Sequence, residues 1–270
     1  MSRPFLLTLC VLWLAGGTLG FFIAQDKNIP LPLALGVLPA FLLELSFYLS
    51  LGFERQRAWW TPRRIVLLAP LPCLIASLPS GGPSFLPLVT IPAAVAALCL
   101  WPRLFGASLA ARLGFLAFAA APLLFKLMEP LYGRPHEDLP LSTLGQLLWI
   151  RAGLLAALSA GYAPGVRFGL WPSPRDLRLG AAAFLAGAPP LLLVATASGF
   201  VEFTGPRAAP LRLLLSSAGT LIGIYLVVAL SEEMFFRAML QQWLPRFRIA
   251  LASLAFGAAH LGFRDFPNYP

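Results

Sequence analysis

The chain of 270 residues is 59% hydrophobic and only 11% charged, with a net charge of +9 carried by 18 Arg and 2 Lys. A soluble domain of this size carries about 25% charged residues, so the composition excludes a soluble globular protein and indicates an integral membrane protein. The arginines sit in short gaps between apolar runs, which reads as anchoring at a membrane surface and excludes a nucleic-acid-binding role.

A membrane-spanning helix needs roughly 20 mostly apolar residues. Runs of this kind lie at 5–24, 31–52, 64–79, 84–101, 104–127, 143–163, 178–200, 211–236 and 247–263. The expected fold is an all-α polytopic transmembrane helical bundle of about eight or nine helices. The first run is too long for the apolar stretch of a signal peptide, and no A-x-A site follows it, so it is expected to be retained. The runs at 64–79 and 84–101 are short and broken by prolines, and together are open to a re-entrant reading. Cys10, Cys73 and Cys99 lie inside apolar runs without metal-ligand spacing and read as small apolar side chains. Glu44, the main charge within the first six runs, reads as structural.

Arginines fill alternate gaps: Arg55, Arg57, Arg63 and Arg64 after the second run, Arg167, Arg175 and Arg178 after the sixth, Arg246 and Arg248 after the eighth. The intervening gaps are poorer or mixed in charge. By the positive-inside rule the N-terminus and the 243–248 loop face the cytoplasm. Arginine in place of lysine, with abundant Ala, Leu, Gly and Pro, points to a GC-rich bacterial genome and hence to a bacterial inner membrane. There is no internal repeat. The polar connector 164–177 divides the chain into N-terminal helices (1–175) and a C-terminal unit (176–270) that holds the charges of interest.

Those charges are Glu232, Glu233 and Arg237, at the end of an apolar run. Each charge at membrane depth costs about 2.5–3.5 kcal/mol, so something must offset them. Glu233 and Arg237 are four apart with the acid first, the spacing of a helical ion pair. Glu232 lies about 100° round an α-helix from Glu233 and is left to seek another partner. Its side carries Phe235 and Phe236. A carboxylate among phenylalanines is poorly solvated, the setting of a general base.

His260 lies deep in the last run, whereas His136 sits in a connector beside Glu137 and Asp138. Glu232 precedes Arg246 by 14 residues and His260 follows it by 14. If the chain turns near Arg246, both lie about 20 Å from the turn, on neighbouring helices with axes about 8–10 Å apart. Phe256 shares the face of His260, and Gly257 leaves room beside the ring. A carboxylate facing an imidazole in the membrane interior suits water activation or metal binding.

Glu-Glu-x-x-x-Arg at 232–237 with Phe-x-x-x-His at 256–260 resembles the first two motifs of the CPBP intramembrane protease family, which includes CAAX-processing endopeptidases and bacteriocin-associated members. The resemblance covers roughly 178–270. It implies an intramembrane endopeptidase with Glu232 as the water-activating glutamate, His260 holding the water or polarising the carbonyl, and Glu233, Arg237 and Phe256 in support. It implies membrane lipid as surroundings and a peptide or membrane-anchored protein as substrate. The metal-free reading is preferred because no His-Glu-x-x-His is present; zinc on Glu232 and His260 is the alternative. The family's third motif, His-x-x-x-Asn or a variant, has no counterpart after His260. The expectation is therefore a chain truncated before that motif and inactive by itself, with a histidine followed four residues on by an asparagine in the reading frame past Pro270. The competing reading is a non-enzymatic scaffold or bacteriocin-immunity protein that keeps the charges for packing.

Overall fold

The computed structural model describes residues 2–80, 85–139, 141–162, 173–199, 201, 213–214, 217, 221, 229, 232–244 and 246–260. Most of the expected run at 211–236, most of the 164–177 connector, the end of the 247–263 run and the C-terminal Phe266–Pro270 lie outside them. The described residues are helical, with no strand.

Helix α1 covers Arg3–Asp26, with a π-helical turn at Leu12–Gly16. Helix α2 is Leu31–Ser50. The run at 64–79 forms two short helices, α3 (Pro62–Leu68) and α4 (Leu71–Ser77), split around Pro70. Proline cannot donate a backbone hydrogen bond and clashes with the preceding turn, which accounts for the break. The next run, despite Pro92 and Pro102, is one continuous helix, α5 (Phe85–Phe105), long enough to cross a bilayer. The pair is therefore asymmetric, a broken helix followed by a full-length one. Helices α6 (Leu109–Leu124) and α7 (Ser142–Ser159) follow, then α8 (Pro174–Ala197).

Caps fix several starts. The side chains of Thr61 and Ser108 accept hydrogen bonds from the Arg64 and Ala111 amides. Ser173 and Asp176 form a reciprocal capping box with Pro174 at the first helical position, which satisfies backbone donors that the helix itself leaves unpaired. Among the described residues, four helices are long and apolar enough to span a membrane: Arg3–Asp26, Leu31–Ser50, Phe85–Phe105 and Pro174–Ala197.

Helix α7 is the centre of the bundle. It is buried along almost its whole length, against α2, α5 and α6. Arg151 on α7 makes a two-pronged contact with Glu44 on α2, at 2.6 Å (Nε to Oε1) and 3.0 Å (Nη2 to Oε2), and neither residue is exposed. The guanidinium lies 5.0 Å from the ring centroids of both Phe47 and Trp60.

Loops gather at two ends, as the alternation of spans requires. Lys27 and Asp138 approach to 3.4 Å at one end, where His136 also lies. At the other, Phe5 packs on Phe53, Tyr162 donates to the Gly106 carbonyl, and the Trp243 indole donates to the Tyr162 carbonyl.

Candidate active site

The acid-bearing helix, α9, is π-helical from Glu233 to Leu240 and continues as Gln241–Trp243. The chain turns extended at Leu244 and re-enters a helix, α10, at Arg248–His260. The hairpin expected around 244–248 is thus present. In a π-helix the hydrogen bonds run from i to i+5 and the turn is wider than in an α-helix, a geometry frequent at functional sites. Residues four and five apart then share a side, so Glu232 stands in line with Phe236 and Arg237 rather than in the α-helical positions that the spacing suggested.

Across the hairpin, Nε2 of His260 lies 3.4 Å from Oε1 of Glu232, with both side chains about one-third exposed. The Nδ1 atom of His260 lies 2.8 Å from the Phe256 carbonyl oxygen. That oxygen can only accept, so the proton sits on Nδ1, and in the neutral ring Nε2 presents its lone pair towards Glu232. Phe256 holds the imidazole from below at 4.4 Å between ring centroids, and Phe236 meets Phe256 edge-on at 5.2 Å. A Cβ built on Gly257 would meet nothing within 4 Å among the described residues, whereas Phe256 touches the ring directly.

Glu233 and Arg237 form the expected i,i+4 contact, Oε2 to Nε at 3.3 Å, open on both side chains. This is longer than the 2.7–2.9 Å of a strong charge-assisted bond. The two acids thus face different partners: Glu233 turns to Arg237, Glu232 to His260.

Beside them runs a cleft of about 470 Å³. One wall is α9, through Glu232, Glu233, Phe236, Arg237 and Gln241. The other is α10, through Ile249, Ala252, Ser253 and Phe256. His260 stands one helical turn beyond Phe256. Ser253 is an ordinary polar residue in an amphipathic hairpin and carries no distinctive pattern in the sequence.

Among the described residues, no group of three His, Cys, Asp or Glu side chains is placed to hold a metal ion. Catalytic zinc generally takes three protein ligands. Among the described residues, Glu232 and His260 are two potential ligands, and Glu233 is directed at Arg237.

Residues 214–269 match the family model described as Type II CAAX prenyl endopeptidase Rce1-like. The Glu-Glu-x-x-x-Arg and Phe-x-x-x-His motifs, and with them the whole hairpin, fall inside this segment, which bears out the resemblance to the CPBP family there. The matched segment is about a fifth of the chain, and over it the sequence is similar to CAAX-type prenyl endopeptidases. No curated protein and no solved structure matches the chain.

Proposed function

We propose, taking the match to CAAX prenyl endopeptidases as premise, that this protein is an intramembrane endopeptidase in which Glu232 activates water. The observation that carries this reading is the 3.4 Å approach of Glu232 to His260 across two helices, at the edge of a cleft. Two acceptors converge there. A water molecule beside them can give one O–H to the Glu232 carboxylate and the other to Nε2 of His260, and its oxygen lone pair is then directed outward.

The chemistry follows from that posture. The water oxygen attacks the carbonyl carbon of the scissile peptide bond while Glu232 takes its proton. The tetrahedral intermediate collapses by breaking the C–N bond, and the protonated Glu232 returns the proton to the leaving nitrogen. A carboxylate and an amine result. Phe256 keeps the imidazole oriented through its ring and carbonyl, and the Glu233–Arg237 contact keeps the second acid away from the water. No step uses a metal.

The substrate is a peptide or membrane-anchored protein, and the family's description favours a prenylated C-terminal segment. The protein lies in a bacterial inner membrane with its N-terminus in the cytoplasm, and residues 1–175 serve the hydrolytic unit at 176–270. The test is a single turnover by the full-length protein in water carrying heavy oxygen. One heavy atom is expected in the new C-terminal carboxylate. An unlabelled first product would mean that a side chain attacks the peptide directly, and no cleavage of any membrane-anchored peptide would remove the reading.

A further inference from the structure

The hydrolytic hairpin uses only the C-terminal third of the chain, and the sequence leaves the purpose of the preceding helices open. The structure links the two at the back of α9. Phe235, Met239 and Trp243 are spaced by four along it, on the side away from the cleft. Met239 is fully buried and Trp243 nearly so. Gly153, on the central helix α7, faces Phe235: a Cβ at that position would stand 3.5 Å from the tip of the phenylalanine ring. The indole N–H of Trp243 donates to the Tyr162 carbonyl at 2.7 Å, and the two rings meet edge-on at 6.0 Å. The Arg112 guanidinium lies 5.7 Å from the Tyr162 ring and 6.0 Å from that of Trp243. By contrast α10 is almost wholly exposed, with only Ala252 buried, and packs on α9 and its continuation.

We infer that the N-terminal bundle is the positioning device for Glu232: Gly153 and Tyr162 grip α9 at Phe235 and Trp243 and so fix where the acid stands relative to the cleft. The inference rests on the proposed hydrolytic reading for its effect on rate, but not for its geometry. Among the described residues, the back of α9 is the route by which α6 and α7 reach the acid. Phe235 is three residues from Glu232, and the π-helix between them lacks the tight α-helical ladder that would hold the angle independently. A small residue is needed at 153, because a Cβ there already stands 3.5 Å from the Phe235 ring and a side chain longer than a methyl group would meet it. These are positioning residues; none touches the reacting atoms.

A size exchange tests this. Gly153→Ala leaves ordinary contact and is expected to be silent. Gly153→Leu displaces Phe235 and is expected to lower kcat about 10²-fold at unchanged KM, the loss typical of a reacting group misplaced by about an ångström. Adding Phe235→Ala to Gly153→Leu restores volume balance and is expected to recover most of kcat. Trp243→Phe, which keeps the ring and loses the indole donor, is expected to lower kcat in the same direction and serves if the leucine variant fails to fold. Independently of activity, spin labels at Leu124 and Gln242, in a chain with its three cysteines replaced by alanine, report the distance between α6 and α9. That distribution is expected to broaden in Gly153→Leu and narrow again in the double variant. A double variant as defective as the single one, or an unchanged distance distribution with unchanged kcat, overturns the clasp. A protein that cleaves nothing but shows the broadening and its rescue keeps the clasp and loses the hydrolytic reading instead.

Discussion

Replacing Arg151 with leucine should destabilise the protein by about 3–5 kcal/mol, the cost of leaving one member of a buried ion pair without the other. That is a large share of the roughly 5–15 kcal/mol by which folded proteins exceed their unfolded states. Glu44 and Arg151 are both fully buried and held by two contacts at 2.6 and 3.0 Å. Phe47 and Trp60 flank the guanidinium, adding cation–π attraction at a fully buried site. Without Arg151 the buried Glu44 carboxylate loses its counter-charge. The double replacement Glu44→Leu with Arg151→Met removes both charges and should recover stability to near the native value, because the desolvation penalty disappears with the attraction. Thermal unfolding of the single and double variants in detergent reads this directly. Equal loss in both would mean that volume, not charge, holds α2 to α7.

Glu232→Gln should lower kcat by about 10²–10⁴-fold, the range that a positioned general base contributes, with KM little changed. Glutamine keeps the shape and the hydrogen-bond reach of the side chain but cannot take the water's proton. Its amide also turns a donor towards Nε2 of His260, so the two groups cease to be twin acceptors for one water. Glu233→Gln is expected to act far less, since Glu233 faces Arg237 and not the imidazole. The ratio of the two effects is what matters. A scaffold or immunity protein would retain its biological function with glutamine at 232, and equal losses at 232 and 233 would mean that the acids serve the hairpin's packing and not a reaction.

The hairpin was legible because its logic is local. Arg246 lies at the turn, the arms to Glu232 and His260 are of equal length, and a short connection forces neighbouring helices to lie side by side. The count of residues therefore set the depth of each side chain, and the two meet at 3.4 Å. The Glu233–Arg237 contact followed from spacing for the same reason. This survived an error of detail: the acid-bearing segment is a π-helix, and the i to i+5 hydrogen bond leaves no periodic mark in eight residues of sequence.

What tertiary structure alone decided lies far apart along the chain. Glu44 was visible as a charge in an apolar run, but its partner Arg151 is 107 residues away inside another run, and nothing local ties them. Gly153 looked like one more small residue in a membrane helix until Phe235 arrived against it. The sequence by itself determined that the chain is helical and apolar, where it turns, and which acid and imidazole share a depth, because hydrophobic length and helical rise depend only on neighbouring residues. Which distant helices touch, and so what neutralises Glu44 and what grips the back of the acid's helix, was decided by packing in three dimensions, where side-chain volume and the need to pair buried charge select among arrangements that local periodicity leaves equivalent.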